Sequence, residues 1–213
     1  MRSAILVLAV ALLSIHASSA ETVLSSREGN IFLSRDGVEK QLTSSGRDSD
    51  PVLAPDGKWV MFVREIDGEL IATGSSPDGE PPAELWQIGV NGKDPTRLVR
   101  TRADGDPKKL IAAFQNIQFS ADGRLVYFVT PAWATSGAVH VVDTTNGKER
   151  FVMPGNELEI IHSGQYRDHL LVNQHRYFLG PGSYDWFWLF RPDGTEVGPV
   201  GEDTEDFKSL HVK

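Results

Sequence analysis

The chain has 213 residues, with 21 basic against 29 acidic side chains, 40% hydrophobic residues and no cysteine. The apolar share excludes a disordered chain, and the length admits one good core or at most two small domains. A net charge of −8 argues against broad binding to nucleic acid or an anionic membrane, because both need a basic surface; the lack of cysteine excludes disulfides, thiolate metal sites, thiol catalysis and a Cys-linked lipid anchor.

In chain order, Met1-Arg2-Ser3 is a short positive start and Ala4 to Ile15 an apolar run broken only by Ser14. Ala17-Ser18-Ser19-Ala20 then places small residues before Glu21, the pattern of a cleaved secretory signal. The run is too short for a transmembrane anchor, which takes about 20 apolar residues. Residues 1–20 are therefore read as a signal peptide and 21–213 as one exported domain, periplasmic or secreted, with no membrane span after cleavage.

Beyond it come short apolar runs, β-branched and aromatic, each bounded by turn residues. They begin with Thr22–Leu24, Ile31–Ser34 and Lys40–Thr43. Next are Val52–Ala54, Trp59–Val63, Leu85–Val90 and Thr96–Val99, then Ile117–Ser120, Leu125–Val129, Val139–Asp143 and Arg150–Met153. Leu158–His162, His169–Asn173, Trp186–Phe190 and Thr195–Val200 follow, and Phe207–Val212 ends the series. Asp-Gly and Asn-Gly pairs between the runs accept the positive φ that tight hairpins require. No apolar stripe of helical period extends over a helical length; Lys108 to Asn116 has room for one turn. The predicted fold class is all-β.

The runs repeat. Asp50 to Val63 aligns with Asn116 to Val129: a short strand, a small residue, Asp-Gly, a basic residue, then a strand ending aromatic-Val. A second hairpin pattern turns at Gly37, Gly92, Gly147 and Gly194. Spacings of this size predict an array or propeller whose unit is one small antiparallel sheet. Ala54-Pro55-Asp56-Gly57, Ser120-Ala121-Asp122-Gly123 and Leu42-Thr43 resemble the TolB-like β-propeller repeat, over Ile31 to Val152 above all. His162-Ser163-Gly164-Gln165 replaces its turn motif in the last full unit. The resemblance implies an exported propeller that holds partners rather than catalysing a reaction.

Strand counting predicts four blades of four antiparallel strands. Three full blades lie in the middle of the chain. The fourth would be completed by pairing Phe207–Val212, as its innermost strand, with Thr22–Leu24. Within such a meander the glycine hairpins share one side, and the longer segments Arg64–Glu84, Thr130–Ala138 and Gln174–Asp185 share the other with the inter-blade links. Loops on a rigid scaffold carry binding groups.

Those links are acidic. Asp48, Asp50, Asp106, Glu157, Glu159, Asp203 and Asp206 are the candidate carboxylates, suited to a basic peptide or to a hard cation such as Ca²⁺; no Asp-x-Asp-x-Asp-Gly loop accompanies them. The bland alternative is that they cap turns and solvate loops. Trp133, Tyr177 and Tyr184, with Phe178 among them in the long loops beside flexible glycines, are the candidate aromatics for a protein hot spot or a sugar ring; otherwise they cover core. There is no nucleophile elbow, phosphate loop or His-Glu-x-x-His. His162, His169 and His175 share one unit but fall on three separate segments. The expected function is a non-enzymatic binding module for a protein or peptide of the cell envelope, with no required cofactor. The alternative is a propeller that binds or cleaves carbohydrate on the same side, using carboxylates and a metal.

Overall fold

A computed structural model describes residues 22–212; the expected signal peptide, residues 1–20, lies outside them. The first sheet holds β1 (Thr22–Arg27), β2 (Asn30–Arg35) and β3 (Val38–Gln41). The second holds β4 (Asp48–Leu53), β5 (Trp59–Glu65), β6 (Ala83–Gly89) and β7 (Thr96–Arg100). The third holds β8 (Gln115–Phe119), β9 (Leu125–Thr130), β10 (Ala138–Asp143) and β11 (Glu149–Pro154). The fourth holds β12 (Glu157–Ile160), β13 (Leu170–Tyr177), β14 (Ser183–Phe190) and β15 (Glu196–Gly201), and a helix α1 (Glu205–His211) follows. Every sheet is an antiparallel meander in sequence order.

The blades stack through three apolar interfaces. Ile31 and Leu33 of the first meet Val60, Phe62 and Ile88 of the second. Met61, Val63 and Leu85 meet Phe119, Val126 and Phe128 of the third. Tyr127, Val139 and Val141 meet Leu158, Leu170 and Val172 of the fourth. The middle strands carry apolar residues towards both neighbours, so β5, β9 and β10 read as continuous hydrophobic runs. The single helical turn after Asp106 is present, with the Leu110 amide donating to the Asp106 carbonyl.

The expected closing strand is corrected. Phe207–Val212 does not pair with Thr22–Leu24; residues 205–211 are helical, and among the described residues β1 pairs with β2 alone. Glu205 and Asp206 sit in the first turn, and Lys208 and His211 in the last, each where the helix dipole favours it. The i,i+4 rings of Phe207 and His211 lie 4.8 Å apart. Phe207 and Val212 pack on Leu171 and Leu189, so α1 covers the face of the fourth blade that points away from the third. The result is a four-blade arc with a three-stranded first blade, rather than a ring shut by its termini.

The hairpins do share one side. The Gly57 turn lies against Arg35, the Gly92 turn against Lys40, the Gly123 turn against Pro55, and the Gly147 turn against Leu98. Their carboxylates are used locally: Asp143 is held at about 2 by hydrogen bonds from the Thr145 hydroxyl and amide, with Arg124 adding to them. The opposite side carries segments 66–82, 131–137 and 178–182. There the Gly74 amide donates to the Ala132 carbonyl, tying the loop of the second blade to that of the third.

Candidate functional site

The concave side of the arc is lined by the first strands of the complete blades, β4, β8 and β12. Two of them carry the same irregularity. Asp50 (φ 50°) and Asn116 (φ 49°) are left-handed residues inside bulges that break the pairing of β4 with β5 and of β8 with β9. They occupy aligned positions of the repeat. Asn and Asp tolerate this conformation better than other side chains, and the bulge turns them towards the groove.

The two bulges have different surroundings. Asn116 Oδ1 accepts from the Leu158 amide at 2.6 Å, Gln118 Nε2 donates to the Leu158 carbonyl at 2.5 Å, and Gln118 Oε1 accepts from the Ile160 amide at 2.9 Å. Side chains of β8 thus brace the open edge of β12. The aligned residues of β4 are Asp50 and Val52, and Val52 cannot do this. Between β4 and β8 there is instead a cavity of about 490 Å³, lined by Asp50, Pro51, Val52 and residues 114–117.

Next to it, on the long-loop side, a groove of about 450 Å³ runs from Ser26 and Gly29 past Asp50, Glu65 and Glu80 to Phe114. Asp50 and Glu65 are exposed and Glu80 half-buried. Among the described residues none of these three is in an ion pair; Arg47, which also lines the groove, is paired with Asp67 at 2.9 Å. Arg47 feels Glu65 as well as Asp67, so the groove carries a net negative charge rather than carboxylates alone.

The carboxylates expected there are distributed over several roles. Asp48 is buried and takes two hydrogen bonds from Arg64, at 2.6 and 3.0 Å, which hold the guanidinium above its ordinary value. Asp106 caps the turn at Lys108, and Asp203 accepts from the Glu205 amide before α1. Glu159 accepts from Lys208 at 3.2 Å. Glu157 lines a separate cavity of about 510 Å³ with Glu159 and Gln118, and Asp206 is exposed on α1. Asp50 is the expected residue that opens onto the acidic groove, joined by Glu65 and Glu80. Sequence reasoning passed over those two because they end β5 and a loop, away from any link.

The aromatic residues separate as well. Trp133 is half-buried, edge-on to Phe151. The β13–β14 hairpin extends beyond its blade, with Tyr177 69% and Phe178 55% exposed and Leu179 fully so. Phe178, Tyr184 and Trp186 form a row with ring centroids 4.8 and 5.2 Å apart. The register sets it, since alternate residues of β14 share a face. Phe178 was among the loop aromatics expected on this side; Leu179 was missed, its signal an apolar residue beside Gly180-Pro181-Gly182.

Two His–carboxylate pairs lie outside the groove. His140 is sealed between Phe128 and Phe151, with Nδ1 2.5 Å from Glu149 Oε1. Burial alone would raise the Glu149 carboxyl, but hydrogen bonds from His140 and Arg102 outweigh it and hold the group below its ordinary value. His175 meets Asp185 at 2.9 Å on the flank of the projecting hairpin.

Several solved structures share this architecture. An oligogalacturonate lyase in complex with manganese matches with TM-score 0.54 and 12% identity over 82% of this chain and 42% of its own. The β-propeller domain of the Trilobed protease from Pyrococcus furiosus matches with TM-score 0.50 and 13% identity over 83% of this chain and 52% of its own. A chain of a nidogen/laminin complex matches with TM-score 0.50 and 11% identity, over 84% and 59%. The chain thus spans about half the length of these neighbours. No family model and no curated protein matches the sequence. The fold is a β-propeller arc of four blades, and at these identities the likeness shows the fold alone.

Proposed function

We propose that the protein is an exported, non-enzymatic binding module that takes a basic peptide segment of a protein partner into the groove bounded by Asp50, Glu65 and Glu80. The observation that carries this reading is the groove itself: about 450 Å³ of open volume rimmed by three carboxylates outside any ion pair, with the basic side chain of its lining, Arg47, engaged by Asp67. Opposite charge there would steer and register a Lys- or Arg-bearing segment. The exposed tip at Tyr177, Phe178 and Leu179, on the same side, adds rigid apolar contact of the kind found at interface hot spots. The TolB-like turn motifs and the signal-like start support an exported, partner-holding role. Neither His–carboxylate pair opens into the groove, which favours binding over chemistry there.

A second reading has its own observation. The row of Phe178, Tyr184 and Trp186, tilted and edge-to-face to one another, offers aromatic surface suited to a glycan. One titration separates the two. A decapeptide of alternating Lys and Ala should bind, its Glu-Ala counterpart should not, and Asp50→Asn/Glu65→Gln/Glu80→Gln should weaken binding about tenfold or more at low salt. Unchanged affinity in the triple variant would overturn the groove reading. Binding of neutral oligosaccharides that is lost in Trp186→Ala would support the glycan.

A further inference from the structure

The first blade has three strands, and the turn positions show which one it lacks. In the complete blades the turn between second and third strands lies on the long-loop side, and the other two turns lie on the hairpin side. The Glu28-Gly29 turn between β1 and β2 is on the long-loop side: the Gly29 carbonyl accepts from the Asp48 amide at 2.8 Å, and Gly46 leaves no room for a Cβ on Gly29. The Asp36-Gly37 turn between β2 and β3 is on the hairpin side, where Arg35 Nη2 donates to the Gly57 carbonyl at 3.4 Å. Thr43 Oγ1 also accepts from the Ile31 amide as Thr101 Oγ1 does from the Ala83 amide, matching β2 with β6. So β1, β2 and β3 are second, third and fourth strands. The innermost position is vacant among the described residues.

The vacancy leaves a mark on the neighbouring blade. On β8 and β12 the residues facing the preceding blade are buried: Ile117 8%, Phe119 4%, Leu158 3% and Ile160 3% exposed. Their counterparts on β4, Pro51 and Leu53, are only half-buried, as is Leu24 on β1. Among the described residues the outer edge of β1 also makes no backbone ladder bond. A two-residue turn makes Arg27 and Asn30 a doubly bonded pair, so alternation leaves the amides and carbonyls of Leu24 and Ser26 pointing away from β2.

We propose that this position is filled in trans: an extended segment of a partner chain, basic at its start and then apolar at alternate residues, adds to the outer edge of β1. The other blades state the shape of the occupant, because their innermost strands are what covers these surfaces elsewhere. Charge sets its start. A strand antiparallel to β1 begins on the long-loop side, beside Ser26, where the acidic groove opens. Main-chain bonds then give affinity and alternate side chains give specificity. The charge preference rests on the groove reading above; the strand pairing does not.

The probe is the peptide Lys-Asn-Ile-Gln-Phe-Ser, patterned on β8, titrated into the full chain while amide exchange is followed. Exchange at Leu24 and Ser26 should slow by about tenfold or more, as ladder amides do, with Val23 and Ser25 unchanged. Leu24→Pro removes an edge N–H but no β1–β2 bond, a substitution edge strands tolerate, and it should abolish the slowing at Ser26 with the circular dichroism intact. No slowing at saturating peptide would overturn the proposal. So would slow exchange at both amides before peptide is added, which would mean that residues 1–21 or a second copy already hold the edge. Equal slowing by the peptide with Glu in place of Lys would leave strand donation standing and remove the groove reading instead.

Discussion

Glu149 ties burial, hydrogen bonding and acidity together at one position. Its side chain is 11% exposed and takes hydrogen bonds from His140 and Arg102. A carboxyl whose folded pKa lies below its unfolded value contributes stability above the unfolded value and loses it as pH falls through the folded one. For Glu149 the window lies below the ordinary 4.5. Glu149→Gln should therefore flatten the acid limb of stability, read as the urea midpoint between pH 7 and pH 3. An acid limb as steep as that of the unchanged chain would show that Glu149 does not drive it. Asp48 illustrates the limit of reading residues singly. In the sequence it is one acid of a link with Asp50; in the fold it is fully enclosed by its pairing with Arg64, sixteen positions away, while Asp50 faces water.

At the scale of elements, the turns were the legible part. Asp-Gly and Asn-Gly fixed the hairpins, and the hairpins fixed nearly every strand to within a few residues. The C-terminal segment was not legible, because a strand there would have completed a ring, whereas its i,i+4 aromatic pair and charge order favour a helix. Gly164 is part of the same device: at φ 78° it lies so close to the His211 carbonyl that a Cβ has no room. Gly164→Ala should lift α1 off the blade, and Phe207→Ala, which removes a half-buried ring, should cost about 1–2 kcal/mol. Both should raise binding of an apolar dye, since Leu171 and Leu189 lose their cover. Unchanged melting and dye binding in both variants would mean that α1 does not protect the fourth blade.

Across the whole molecule, the described residues of each blade pack on those of its sequence neighbours, as in a solenoid. Stability should therefore be divisible. Leu158→Ala, at the centre of the interface between third and fourth blades, should cost about 3 kcal/mol. It should let β12–β15 and α1 exchange their amides well before β5 and β6 do. Simultaneous exchange in all four blades would show one indivisible unit. The missing inner strand of the first blade explains why counting alone suggested closure: the vacancy was correctly inferred, and its occupant was not.

The unbraced gap between β4 and β8 has a mechanical meaning. Amide side chains clamp the third and fourth blades together at the axis, and the Ser26 hydroxyl reaches the Asp48 carbonyl between the first and second. The central seam has a roughly 490 Å³ space instead. The two halves of the arc thus meet like the arms of a pair of tongs, joined along the outer packing and by the Gly74–Ala132 loop bond, with Asp50 and Val52 at the unbraced jaws.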